Sequence, residues 1–233
     1  MTELSEEVEM GRMKGPFQVP PCWYEGSEPT TEEDPDVSCD SVAALAFSIE
    51  QTSGDGSVKI RRGEDWKRSF GNRYAFTSDK PDYNDLDDIV TGTKRLHQEG
   101  SSTTQGWTQD HEGAYRQLPG SPTWALWLII FTALGPLLFR HLVIPFGPKG
   151  AVWAYNRVGD IICAISSTLA ASIILHFVDD YIGLEEKDTA QSAFHTFSEI
   201  NKILGFRMKE TKKQPPSNNM VVLGHAFSGT PTR

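Results

Sequence analysis

Residues Ile161–Val178 (IICAISSTLAASIILHFV) contain no Asp, Glu, Lys or Arg, and the next two positions are Asp179 and Asp180. An uncharged run of this length has two physical outcomes. Hydropathy alone offers a transmembrane helix. The alternative is the end of a helix, Cys163–Ala171, followed by a β-rich strand, Ser172–Val178, with the aspartates at its tip. The second outcome gives the carboxylates a purpose. Adjacent carboxylates at the end of a buried strand repel each other unless a cation sits with them. A solvated turn is the plain alternative for an isolated Asp-Asp pair. An earlier apolar run, Trp124–Phe139, is interrupted by Gly135-Pro136, which reads as a turn between two strands. A membrane hairpin over 124–178, looped at Arg140, His141 and Lys149, is the competing reading.

Charge is distributed unevenly. Residues 1–50 carry 12 acidic residues against Arg12 and Lys14, a net of −10, whereas the remainder carries 20 basic and 19 acidic residues. The acidity therefore belongs to an N-terminal arm, within which 24–40 (YEGSEPTTEEDPDVSCD) reads as a flexible loop. A basic cluster follows at 58–73 (VKIRRGEDWKRSFGNR). Three cysteines, Cys22, Cys39 and Cys163, show no CxxC spacing, and the six histidines show no HxxxH spacing. Neither a disulfide framework nor a zinc site is indicated, and a reducing intracellular compartment, nuclear or cytoplasmic, fits. MTELSEEVEM has no apolar core of a signal peptide.

Two further helices are expected. Leu86, Ile89, Val90 and Leu96 fall near helical spacing within 83–99. Asp188 and Gln191 form a capping-box pattern, followed by an apolar face of Phe194, Phe197, Ile200, Ile203 and Leu204 that ends at Gly205.

The chemistry-bearing residues come in an ordered series. Asp110 opens Asp-His-Glu-Gly-Ala-Tyr-Arg-Gln-Leu-Pro (110–119), which resembles motif A of reverse transcriptases. Ile-Pro-Phe-Gly-Pro-Lys-Gly-Ala (144–151) resembles motif B, and Phe-Val-Asp-Asp (177–180) resembles motif C. Leu204-Gly205-Phe206 with Lys212 and Lys213 looks like motif D, and Leu223-Gly224 falls where motif E places its Leu-Gly. Upstream, Lys59-Ile60-Arg61, Glu64-Asp65, Arg68-Ser69 and Asn72 look like the fingers motif. Met10–Phe17 resembles the lead-in of some eukaryotic retroelement enzymes, including DIRS-like ones. The likeness covers roughly 55–227. It departs from the family at Val152, where relatives carry Pro, and at the acidic stretch 24–40.

The resemblance implies an α+β fold, the fingers and palm of a right-hand polymerase, with an antiparallel palm sheet backed by helices. It divides the chain into an acidic arm (1–50), a fingers-like region (51–109) and a palm (110–233), with a further fingers element within 118–147. The chain stops shortly after Leu223-Gly224, so thumb and RNase H would come from a missing segment or a partner chain. The implied activity is RNA-directed DNA synthesis, with dNTP, a primer and an RNA or DNA template as partners and no membrane. A catalytically silent retroelement remnant that binds nucleic acid is the alternative.

The implied roles are specific. Asp110, Asp179 and Asp180 would hold two Mg²⁺ or Mn²⁺ ions, hard cations that favour carboxylate oxygens. Lys59 and Arg61 would clamp the triphosphate, and Tyr115 would stand under the sugar. Phe146 and Gly147 would line the nucleotide pocket, and Lys212 or Lys213 would protonate the leaving pyrophosphate. The bland counterparts are a solvated basic turn, a core aromatic and a plain turn glycine.

Overall fold

The computed structural model describes residues 2–20, 23, 42–52, 56–69, 71–74, 76, 80–121 and 125–230. The acidic stretch 24–40, Cys22 and Cys39 lie outside these. Helix α1 (Thr2–Glu9) leads into strands β1 (Met13–Gln18), β2 (Val42–Thr52) and β3 (Val58–Asp65). A single turn, α2 (Gly71–Tyr74), and helix α3 (Leu86–Gln98) precede β4 (Thr104–Asp110). Strands β5 (Leu126–Thr132) and β6 (Gly135–His141) are followed by helix α4 (Lys149–Ala170). Strands β7 (Ile173–Phe177) and β8 (Asp180–Glu186), helix α5 (Lys187–Ile203) and short strands β9 (Gln214–Ser217), β10 (Asn219–Val222) and β11 (His225–Ser228) complete the series. The fold is α+β, as the sequence predicts.

The chain forms two compact units, Met1–Ser78 with Leu118–Ala151, and Asp79–Gln117 with Val152–Arg233. The first contains a five-stranded sheet of order β1-β6-β5-β2-β3. Its core gathers Leu4, Met13, Ala44, Trp66, Leu128 and Phe139. A charged group is built into this unit: the Glu64 carboxylate, 5% exposed, meets Arg62 Nε at 3.3 Å and His141 Nε2 at 3.2 Å. It also accepts from Trp66 Nε1 at 3.1 Å. A buried carboxylate needs such partners, because water no longer solvates it. The β5–β6 connection departs slightly from expectation. The turn is Ala133-Leu134, and Gly135 already pairs with Thr132, whose hydroxyl donates to the Gly135 carbonyl and accepts from Leu134 N–H.

The second unit contains a four-stranded sheet of order β7-β8-β4-β9. Strand alternation sends successive side chains of β8 to opposite faces. Tyr181 joins Trp107, Ile162, Ile174, Phe194 and Phe197 on one face. Ile182 and Leu184 join Ile89 and Val222 on the other. Gly183 shares the Tyr181 face and lies beneath the Trp107 indole. The uncharged run is therefore resolved into α4, a left-handed Ala171 (φ 52°) and β7. Among the described residues no helix is long and apolar enough to cross a membrane, so the helical-hairpin reading of 124–178 is set aside.

Helix α3 lies within the expected 83–99, and Asp85 caps it, accepting from Asp87 and Asp88 N–H in a reciprocal box with the Asp88 side chain. Ile89 is buried, but Val90 is 48% exposed, because only one stripe of a short helix faces the sheet. Helix α5 starts differently. It follows β8 without a linker, so Glu186 is its N-cap and makes no side-chain cap bond. The Asp188/Gln191 box does not form, and Gln191 lies 2.8 Å from His195 Nε2 instead. Phe194, Phe197 and Ile200 are buried, but Ile203 is 81% and Leu204 43% exposed. The helix closes at Gly205 (φ 83°). Phe206 N–H bonds Asn201 O and Gly205 N–H bonds Lys202 O, a Schellman cap.

Two glycines give a matched test. A Cβ at Gly183 would fall inside the Trp107 ring, whereas one at Gly150 meets nothing. Gly183→Ala is expected to lower unfolding free energy by roughly 3 kcal/mol through overpacking. Gly150→Ala should raise it by up to about 1 kcal/mol, by removing unfolded-state freedom within a helix. Urea unfolding of the two variants reads both signs.

Candidate active site

The site is built on the β4–β8 ladder. Asp110, the last residue of β4, is the register partner of Asp180, the first residue of β8. Asp179 sits in the two-residue turn closed by the Phe177–Asp180 pair. The carbonyl of Asp179 accepts from His111 N–H at 3.4 Å. Two strands thus deliver three carboxylates to one end of one sheet. Val178 enters the turn with φ 55°, a left-handed conformation that costs a residue with a Cβ roughly 1–2 kcal/mol.

Electrostatics follow from that convergence. Burial, with the Asp110 charge added, pushes Asp179 up to about 6, and the same two causes raise Asp180. Lys212, on a 3-10 turn over Glu210–Lys212, forms an ion pair with Asp110 Oδ2, and this bond raises the lysine. The other Asp110 oxygen, Oδ1, is buried without a hydrogen-bond partner. Of the two candidate lysines only Lys212 reaches the carboxylates; Lys213 pairs with Glu210 at 2.8 Å. Among the described residues no three His, Cys, Asp or Glu side chains are grouped so as to hold a metal ion. A cavity of roughly 300 Å³ lies beside the site, lined by Asp110, Asp180, Lys212, Gln214 and the Leu223-Gly224 turn among others. Leu223 and Gly224 both have positive φ (48° and 79°), as a two-residue hairpin turn requires.

Tyr115 lies in the 3-10 turn after Asp110, 9% exposed, with its ring edge-on to Tyr155 at 5.3 Å. Burial, then the Asp179 charge, pushes its hydroxyl up to about 12. A residue without a sequence signal also belongs to this region. His111 is buried and bonds Tyr155 OH at 2.5 Å and Asn201 Oδ1 at 2.8 Å. Nε2–H donates to the amide oxygen and Nδ1 accepts from the phenol, which satisfies a neutral ring. Burial pushes its pKa down, so it brings no positive charge to Asp110. Scattered histidines carry no spacing signal, and only the fold sets this one between β4, α4 and α5.

The remaining sequence-predicted residues lie in the first unit. Lys59 and Arg61 alternate on β3, so both project from the same face, and both are exposed. Gly147 has φ 102°, and a Cβ there would press on Trp66 Cδ1 at 2.8 Å. Asn72 fixes the segment, donating to Gly147 O at 3.0 Å and accepting from Lys149 N–H at 2.7 Å. Phe146 is half exposed beside it.

No family model matches the sequence, and no curated protein sequence matches it. Its fold does match solved structures. It superposes on the prototype foamy virus protease-reverse transcriptase with a TM-score of 0.65 and 11% identity. That match covers 98% of this chain and 25% of the viral one. A foamy viral protease-reverse transcriptase in complex with double-stranded DNA gives a TM-score of 0.63 and 13% identity, over 97% and 32% of the two chains. The fold is therefore reverse-transcriptase-like, and the chain spans a quarter to a third of the length of these proteins.

The raised Asp179 pKa has a signed consequence. Between the ordinary carboxylate value of 3.8 and about 6 the folded protein binds more protons at Asp179 than the unfolded chain. Stability then falls as pH rises through this window and stays reduced above it. In divalent-free buffer, Asp179→Asn is expected to raise the melting temperature at pH 7.5 and to flatten the pH 4–6.5 profile. An unchanged profile would contradict the assignment.

Proposed function

We propose that this chain is the fingers and palm part of an RNA-directed DNA polymerase of an LTR-type or DIRS-like retroelement, joining deoxynucleotides to a primer 3′-hydroxyl. The observation that carries the reading is the convergence of Asp110, Asp179 and Asp180 at one end of the β4–β8 ladder. The reverse-transcriptase-like fold supports it.

Two divalent cations, Mg²⁺ or Mn²⁺, fit this donor set. The carboxylates are hard oxygen ligands, Asp110 Oδ1 is buried and unpartnered, and Asp179 and Asp180 are raised by burial and by Asp110. Asp110, Asp179 and Asp180 would hold the ions, which when bound promote attack by the primer oxygen and offset charge on the pyrophosphate. Lys212 balances the carboxylate charge in this structure and can protonate the departing pyrophosphate. Tyr115 discriminates at the sugar, because a bulky ring there opposes a 2′-hydroxyl. In the first unit Lys59 and Arg61 offer cations to phosphate oxygens, and Gly147 allows close backbone approach. The partners are dNTP and a primed RNA or DNA template.

Primer extension on poly(rA)/oligo(dT) with Mg²⁺ or Mn²⁺ tests the reading. The full chain is expected to incorporate dTTP. Asp110→Asn and Asp179→Asn should each reduce the rate by about a thousandfold or more, roughly 4 kcal/mol. Binding of the template–primer without incorporation by wild type would favour a silent remnant. Tyr115→Ala is expected to raise ribo- relative to deoxynucleotide use by about tenfold, or 1.4 kcal/mol. An unchanged ratio in a folded variant would make Tyr115 a core aromatic.

A further inference from the structure

The turn that presents Asp179 is held by side chains for which the proposed chemistry has no use. His176, on β7 and 2% exposed, places Nδ1 at 3.0 Å from the Val178 carbonyl and Nε2 at 2.9 Å from Asp160 Oδ1 on α4. A carbonyl and a carboxylate only accept, so each ring nitrogen faces an acceptor. One face of the imidazole stacks near Tyr181, with centroids 5.7 Å apart at 25°. Gly159 approaches the ring so closely that a Cβ there would meet Cε1 at 2.5 Å. The His176 backbone is held too, its N–H donating to Asn84 Oδ1 at 3.1 Å. The imidazole is therefore fixed along both its edges and its plane.

The oxygen it grips belongs to the peptide joining Val178 to Asp179. That unit is planar, so fixing its oxygen fixes the plane, and the plane sets the direction in which the Asp179 side chain leaves the turn. Val178 needs such restraint, because a β-branched residue at φ 55° stays there only if its surroundings hold it.

We infer that Asp160 and His176 form a brace from α4 to the metal-turn backbone, and that His176 is a positioning residue setting the orientation of Asp179. The function of that orientation, to ligate a divalent cation, rests on the reading proposed above; the brace itself does not. His176 touches no substrate and acts only through the Val178 carbonyl. Asp160, whose side chain is 60% exposed, orients the ring by accepting from its far nitrogen.

The test uses the full chain with three variants. Asparagine at 176 keeps an amide donor near the Nδ1 position, whereas glutamine reaches towards Nε2 and gives up Val178. Asp160→Ala removes an exposed group and is expected to fold normally. The first readout is metal-free: the Val178 Cα and Cβ chemical shifts, which report its left-handed backbone. The second is Mn²⁺ affinity, measured with the melting temperature of each variant. Asp160→Ala and His176→Gln are expected to move the Val178 shifts away from left-handed values and weaken Mn²⁺ binding about tenfold. His176→Asn should retain most of both. Unmoved Val178 shifts in Asp160→Ala and His176→Gln would overturn the brace. Moved shifts with undiminished Mn²⁺ affinity would overturn its positioning role. Moved shifts in a protein whose wild type binds no Mn²⁺ would uphold the brace and overturn the metal reading.

Discussion

Negative charge concentrated at one end of the β4–β8 ladder is the constraint around which the second unit is organised. Asp110 and Asp180 face each other in register, with Asp179 in the adjoining turn. Like charges brought together as water is withdrawn oppose folding, so the rest of the unit has to hold them there. The register is pinned three residues away, where Trp107 pairs with Gly183 and its indole fills the space a side chain would take. A one-residue slip would displace the indole and send the carboxylates to opposite faces. The aromatic layer of Trp107, Tyr181, Phe194 and Phe197 thus fixes the site as well as the core.

Around that end, counter-charge and polar partners are supplied with selectivity. Lys212 comes from a 3-10 turn and pairs with Asp110, while the adjacent Lys213 turns to Glu210. His111 is kept neutral by burial and bonded to Tyr155 and Asn201. The first unit shows a related economy. Glu64 is buried with Arg62, Trp66 and His141 around it. Trp66 in turn packs where Gly147 has no side chain, so a buried ionic cluster and an exposed loop are mechanically joined.

What could be read in the sequence was periodic or covalently local. The apolar run before Asp179 split into helix and strand as expected, because β-branched Ile173 and Ile174 follow a helix that ends at Ala170. Helix α3 was legible from the spacing of Leu86, Ile89 and Leu96, whereas its capping box at Asp85 and Asp88 is seen only in the structure. The capping pattern at Asp188 failed for a reason outside its window. β8 runs directly into α5, and the junction places the cap two residues earlier, at Glu186. Ile203 and Leu204 match the helical period yet remain exposed, since the helix outlasts the sheet it covers.

The sequence by itself determined the helix-to-strand split before Asp179, the three carboxylates and the glycine that closes α5, because these depend on residue type and near neighbours. Tertiary structure decided which lysine meets Asp110, why His111 is neutral, and that Asp160, His176 and Val178 act together. The first two of those choices depend on contacts between residues about ninety or a hundred positions apart, such as His111 with Asn201 and Asp110 with Lys212. No local pattern encodes such distances; they arise only once strand register and helix packing bring the groups within hydrogen-bonding range.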